Sequence, residues 1–181
     1  MTRESTMTEP IHACFIIDDL PANATYWMRR QQEAFGYDVP DTGWGKGWRD
    51  LAPAPKFRVE DATALADLVE TFGLRGKCTV LPCPAGLGRI DRSVRLYSDS
   101  ELADLLGVLR DRVAPHVDIT PEVLTHAMAY DVDSGAMLPH TETAYLSRLA
   151  ADGKLVELVA YLRTAYIILH DAGFTPHGMT I

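Results

Sequence analysis

The sequence predicts an α/β fold built from parallel βα units. Strand and helix patterns alternate along the chain in the order strand, loop, helix, strand, helix, strand, helix and strand, which is the order that such units produce. Residues 11–17 form a nearly continuous apolar run, typical of a strand that is buried on both faces of a parallel sheet. With 181 residues and 47% hydrophobic content, the chain fits one domain over residues 1–181, with a flexible terminus at 1–10.

Local patterns predict the elements that follow the first strand. Four apolar residues at helical spacing indicate a helix that ends at Gly73, and residues 77–82 then predict the second strand. The pair Ser98 and Glu101 predicts the capped start of a further helix, which ends near Pro115. The predicted apolar stripes are Leu65, Leu68, Val69 and Phe72 in the first helix, and Leu102, Leu105, Leu106 and Leu109 in the second.

In the second half of the chain the strand and helix patterns are less regular. Residues 116–119 predict a short strand, and residues 132–135 predict a turn. Between them two interpretations stay open: a helix with Thr120 as its N-cap and Pro121 in its first turn, or extended chain over residues 122–131. The last helix is predicted to end at Gly173 and to bury the stripe Leu155, Leu158, Val159, Leu162, Tyr166 and Leu169.

Composition excludes several classes of function. A net charge of -8 argues against a nucleic-acid surface, because such surfaces depend on clustered Lys and Arg. No apolar run reaches the length of a membrane span, and the polar N-terminus lacks the core of a signal peptide, so the prediction is a cytoplasmic protein that binds no membrane. The odd number of cysteines, Cys14, Cys78 and Cys83, predicts reduced thiols.

Two adjacent acids, Asp18 and Asp19, end the first strand, where α/β folds place their functional residues. His126 and His140 are predicted near other strand ends, with Glu142 and His177 as weaker candidates. One carboxylate and two imidazoles are suitable ligands for Zn²⁺ or a similar divalent metal, and the second carboxylate is then available as a base for hydrolysis. The alternative interpretation is that one acid caps the next segment and the other is solvated.

The strand that ends in Asp-Asp resembles the first strand of the polysaccharide deacetylase superfamily, which is also called the chitooligosaccharide deacetylase homology superfamily. KCTVLPCPAG resembles the second strand of that family, DITPEVLTH or LPHTE its histidine motif, and LRTAYIILHDAGFTPHGMTI the helix and strand before its arginine loop. The resemblance implies a partial or distorted (β/α) barrel, with Asp18 as base and with Asp19, His126 and His140 as metal ligands. It also implies that the chain stops before the later strands, so closure by another copy, a homo-oligomer, is one expectation.

The sequence departs from the histidine motif, in which a second histidine follows four residues after the first. Tyr130 stands four residues after His126, and Ala144 stands four residues after His140. Substitution of one histidine by Glu142, joint use of both histidines, or loss of the metal would each account for this difference.

The resemblance implies a metal-dependent hydrolase that removes an acyl group from an acylated sugar, with zinc as the expected cofactor. Trp44 and Trp48 belong to a segment rich in Trp, Gly and Pro at residues 37–55, and we predict that they stack on the sugar. Arg89, in the glycine-containing loop after the second strand, is the third predicted substrate-binding residue. The alternative function is a catalytically inactive domain for carbohydrate binding or assembly.

Overall fold

The computed structural model describes residues 14–21, 24–36 and 56–181. Strands and helices are mixed along the described residues, as the sequence predicts, but they do not alternate one by one: two helices follow the first strand, and the later strands come in groups of three. The strands are β1 (Phe15–Leu20), β2 (Gly76–Val80), β3 (Gly88–Arg89), β4 (Ser93–Val94), β5 (Val117–Pro121), β6 (Met128–Asp131) and β7 (Ala136–Thr141). The helices are α1 (Ala24–Phe35), α2 (Val59–Phe72), α3 (Asp99–Val108), α4 (Glu142–Ala151) and α5 (Leu155–Asp171), and a short π-helical turn, Leu109–Val113, extends α3.

A parallel three-stranded sheet, in the order β1-β2-β5, lies at the centre of the fold. The pairings Ile17 with Cys78 and Cys78 with Ile119 align the three strands, so their carboxyl ends meet at one edge. Gly76 permits this close pairing, because a Cβ atom at that position would lie 2.0 Å from the carbonyl oxygen of Phe15. The predicted α/β class is therefore confirmed, and the described residues form an open sheet without barrel closure.

The β1–β2 register is irregular between Ile17 and Leu20, which is where Asp18 and Asp19 lie. Asp19 has a φ of 69°, in the left-handed region that non-glycine residues adopt uncommonly. The backbone bend that re-aims Asp19 therefore lies within the strand end, two residues before the proline at position 21.

The helices α2 and α3 cover the sheet with apolar side chains. In α2 the residues Ala62, Leu65, Ala66 and Val69 are buried, whereas the predicted stripe members Leu68 and Phe72 are 49% and 68% exposed. All four predicted members of the α3 stripe are buried, with Leu109 in the π-helical turn. The predicted cap is also present, because the Ser98 hydroxyl accepts a hydrogen bond from the Glu101 amide at 3.2 Å.

The stripe predicted for α5 is wrong. The buried residues of α5 are Ala165, Ile168 and Leu169, so only the last predicted member belongs to the core. Leu155 and Val159 are 60% and 58% exposed. The buried residues lie in the carboxyl-terminal half of α5, and the helix packs against β5 and α4.

The region that the sequence left ambiguous is not helical: residues 123–127 form a bent loop, and residues 128–131 are strand β6. Thr120 and Pro121 complete β5, and the antiparallel strands β6 and β7 form a hairpin around the predicted turn, in which the Gly135 amide donates to the Asp131 carbonyl. The carbonyl and amide of Thr180 bond to the chain near the end of β5, which places the chain's last residues alongside that edge. None of the described helices is long and apolar enough to cross a bilayer.

Candidate metal centre

The candidate site lies at the carboxyl-terminal edge of the sheet, where β1, β2 and β5 end together. Three side chains meet there: Asp19 from β1, Glu122 directly after β5, and His126 from the following loop. One ligand atom from each lies within 4.8 Å of the others. The His126 Nδ1 atom is 3.1 Å from Glu122 Oε1, and its Nε2 atom is 3.3 Å from Asp19 Oδ1.

Thr79, the penultimate residue of β2, hydrogen-bonds both to Asp19 of β1 and to Glu122 after β5. Its fully buried hydroxyl donates to Glu122 Oε2 and accepts from the Asp19 amide at 3.0 Å. The same Asp19 amide also donates to Glu122 Oε2 at 3.0 Å. Trp27 of α1 donates from Nε1 to the Asp19 carbonyl at 3.2 Å. Both sides of the Asp19 backbone are therefore fixed by side chains from other elements.

Asp18 lies beside this group without belonging to it. Its Oδ1 atom is 3.3 Å from the Thr79 hydroxyl and 3.9 Å from the Lys77 ammonium group. Lys77 in turn donates to the Thr180 hydroxyl at 2.6 Å. With its side chain 47% exposed, Asp18 is the carboxylate of this edge that solvent reaches most easily, since Asp19 is only 15% exposed.

A second carboxylate, Glu142 at the start of α4, shapes the loop that carries His126. Glu142 is buried and accepts hydrogen bonds from the backbone amides of residues 124–126. The Tyr161 hydroxyl of α5 also donates to it, at 2.6 Å. The loop needs these bonds because Val123 and His126 have φ values of 42° and 58°, which are unfavourable for residues with a side chain.

The electrostatics of the cluster favour a positive charge between the two carboxylates. Burial lowers the pKa of His126, but the hydrogen bond to Glu122 and the charges of Asp19, Glu122 and Glu142 outweigh it, so the net shift is upward. Burial raises the pKa of Glu122, and hydrogen bonds from His126 and Thr79 reverse this effect, so its pKa is lowered. A protonated His126 supplies the positive charge between the two carboxylates, and a divalent cation is the other species that can supply it.

The donor set fits a divalent transition metal. Asp19, Glu122 and His126 supply two carboxylates and one imidazole, which first-row divalent ions accept, and three protein ligands leave coordination positions open for water or substrate. The three side chains are already held by Thr79, Trp27 and the loop bonds to Glu142, so the cluster is preorganised.

The structure brings together three of the predicted site residues, Asp18, Asp19 and His126. His140 lies on β7, half-buried, with Nε2 3.2 Å from an Arg148 nitrogen, and it is not part of the cluster. Arg89 makes a two-bond ion pair with Asp91. Trp44 and Trp48 lie outside the described residues.

Sequence reasoning missed Glu122, Thr79 and the orienting role of Glu142. The sequence did carry a signal for Glu122, because Glu122 precedes His126 by four residues, the spacing expected of a ligand pair. Thr79 carried no such signal, because its role depends on the pairing of β2 with β5. No family model matches the chain, and no curated protein or solved structure does so either.

Proposed function

We propose that the protein is a metal-dependent hydrolase that removes an acyl group from an acylated sugar. The observation that supports this most directly is the meeting of Asp19, Glu122 and His126 at the carboxyl ends of a parallel sheet, with the exposed carboxylate of Asp18 beside them. That edge is where α/β folds place their chemistry. In this proposal the metal, zinc by preference, is held by those three residues.

The bound metal would supply a Lewis acid that polarises the acyl carbonyl and a means of activating water at neutral pH. The chain supplies the remaining functions. Asp18 accepts the proton of the attacking water, as an exposed carboxylate beside the ligands can do. Thr79 and Lys77 hold Asp18 on the side of the sheet edge where Glu122 lies. Glu142 keeps His126 aimed at Asp19 through its bonds to the loop backbone.

The resemblance to polysaccharide deacetylases supports the same assignment. Glu122 and His126 have the four-residue spacing of that family's histidine motif, with a carboxylate at the first position in place of a histidine. We accordingly propose a deacetylase-type partial barrel, an acylated carbohydrate as substrate, and sugar contacts by Trp44, Trp48 and Arg89. The cytoplasmic location and the homo-oligomer predicted from the sequence are part of this proposal.

One observation favours the second candidate function, an inactive carbohydrate-binding or assembly domain. In the structure the two ring nitrogens of His126 already lie 3.1 and 3.3 Å from carboxylate oxygens of Glu122 and Asp19. With the imidazole protonated, the three groups satisfy one another and the cluster needs no metal to be stable.

The test measures metal content together with activity. We expect about one divalent transition metal per native chain, in line with the single donor set, and loss of that metal in both Asp19→Asn and His126→Ala. His140→Ala is the matched control and should keep the metal, because His140 is outside the cluster. Asp18→Asn should keep the metal but lose at least about 100-fold in the release of acetate from acetylated oligosaccharides, the usual contribution of a general base.

Three outcomes would count against the proposal. A wild-type chain without metal, even after reconstitution with zinc, would favour the inactive domain. Equal metal loss in His140→Ala and His126→Ala would contradict the assigned ligand set. Full activity in Asp18→Asn would contradict the assignment of Asp18 as the base.

A further inference from the structure

A second cleft lies at the opposite end of the sheet from the candidate metal centre. It has a volume of about 470 Å³, within the range of small-molecule sites, and is lined by residues at the amino ends of β2 and β5 and just after α5. Its polar lining residues include Arg75, Arg110, His116, Asp118 and His177, and Phe174 contributes to its apolar part.

Arg75, directly before β2, carries a charge that has no acidic partner among the described residues. Its Nη1 atom lies 2.8 Å from Nδ1 of His116 and 3.3 Å from the carbonyl oxygen of Leu74. Within residues 14–21, 24–36 and 56–181, no carboxylate is within ion-pair distance of Arg75. The exposed guanidinium group of Arg75 beside the half-buried imidazole of His116 forms a donor surface at the cleft whose natural complement is an oxyanion.

Arg110 adds a second guanidinium group to the same cleft. Its stem packs over Gly173, where a Cβ atom would lie 3.1 Å from Arg110 Cδ, so a glycine is required for this approach. Arg110 pairs with its exposed neighbour Asp111 at 2.8 Å, a contact that solvent screens. The single carboxylate that lines the cleft, Asp118, is 3.1 Å from Nδ1 of His177.

This concentration of basic groups is unusual for a chain whose net charge is negative. The whole chain has a net charge of -8, which repels anions from most of its surface. Two arginines and two histidines nevertheless line one concave surface with a single acid. The aromatic ring of Phe174 and the neighbouring apolar residues then provide a surface for the non-polar body of a ligand.

We propose that this cleft binds a small organic oxyanion, a phosphate or a carboxylate, with its charged group at Arg75 and Arg110 and its apolar body towards Phe174. The site is separate from the candidate metal centre, because it occupies the amino ends of strands whose carboxyl ends carry that centre. The proposal therefore does not depend on the proposed hydrolase activity.

The experiment titrates the full chain with phenyl phosphate, with benzoate and with the neutral analogue benzyl alcohol. Binding is measured by calorimetry and by changes in the NMR signals of the histidine rings. We expect the two anions to bind and benzyl alcohol to bind at least about tenfold more weakly, since charged hydrogen bonds to arginine contribute most of the affinity. The ratio of phenyl phosphate to benzoate affinity identifies which anion the cleft prefers. Titration of Asp19→Asn should give the same affinities.

Charge variants make the test specific. Arg75→Gln and Arg110→Gln should each weaken anion binding about tenfold, whereas Arg92→Gln removes the same charge from an exposed position elsewhere and should leave binding unchanged. Asp118→Asn should tighten binding, because it removes the negative charge of the cleft. The proposal is overturned if no anion binds, if benzyl alcohol binds as tightly as the anions, if Arg92→Gln weakens binding as much as Arg75→Gln does, or if Asp118→Asn weakens it.

Discussion

Single residues decide the geometry of the candidate metal centre more than any whole element does. Asp19 reaches the cluster because its backbone adopts a positive φ and its amide is held by Thr79 and Glu122. His126 reaches it because Glu142 satisfies three consecutive backbone amides of its loop. The positive φ at both positions is energetically unfavourable for residues with a side chain. Each backbone conformation is therefore stable only while its hydrogen-bond partners are in place.

The pairing of His126 with Glu122 should make the stability of the metal-free protein depend on pH. Because the pKa of His126 is raised from its ordinary 6.5, its contribution is fully present below pH 6.5 and is lost as the pH rises through the raised value. Because the pKa of Glu122 is lowered from 4.5, its contribution is present above pH 4.5 and is lost as the pH falls through the lowered value.

We therefore expect the free-energy advantage of the wild-type protein over His126→Gln, measured by urea unfolding in the presence of a chelator, to be larger at pH 6 than at pH 9. The comparison with the variant cancels the titration of groups elsewhere in the chain. Parallel pH curves for the two proteins would contradict the raised pKa of His126.

At the scale of elements, an apolar pattern predicts that a helix exists more securely than it predicts which face is buried. The α2 pattern places Leu65 and Leu68 on one stripe, yet Leu65 is 9% exposed and Leu68 is 49% exposed. In α5 the buried face is formed by Ala165, Ile168 and Leu169, rather than by the more apolar side of its first turns. Which residues are buried depends on where the sheet and its neighbouring helices lie, and periodicity alone does not contain that information.

The two leucines of α2 provide a matched test of this difference. Leu65→Ala should destabilise the protein by about 2–4 kcal/mol, because it removes buried methyl groups and leaves a cavity. Leu68→Ala makes the same chemical change in the same helix at a half-exposed position and should cost less than about 1 kcal/mol. Chemical denaturation of both variants measures the two costs, and equal losses would mean that both leucines belong to the core.

At the scale of the whole molecule, the candidate site joins parts of the chain that are distant in sequence. Asp19 and Glu122 are 103 residues apart, and Thr79 lies 43 residues before Glu122. A metal ion that binds Asp19, Glu122 and His126 joins the ends of β1 and β5 and is therefore expected to stabilise the complete fold rather than one loop, since the unfolded chain offers no preformed site.

Zinc at about 100 times its dissociation constant should stabilise the native protein by about 2.7 kcal/mol and raise its thermal midpoint by about 5–10 °C. Differential scanning calorimetry with and without zinc measures the shift, and a chelator should reverse it. Glu122→Gln should lose most of the shift, while His140→Ala, which changes a histidine outside the cluster, should retain it. Equal shifts in these two variants would contradict the proposed ligands.

Local sequence was sufficient to predict the α/β class, the Ser98 cap, the turn at residues 132–135, and the presence of Asp18, Asp19 and His126 at one edge of the sheet. These features depend on short-range periodicity, on capping chemistry and on the rule that parallel strands end together. Only the tertiary structure decided that Glu122 and Thr79 join Asp19 and His126, that His140 lies apart, and that Glu142 holds the loop. The reason is physical: neighbours across parallel strands are set by register and by buried hydrogen bonds between distant segments, which no local pattern encodes.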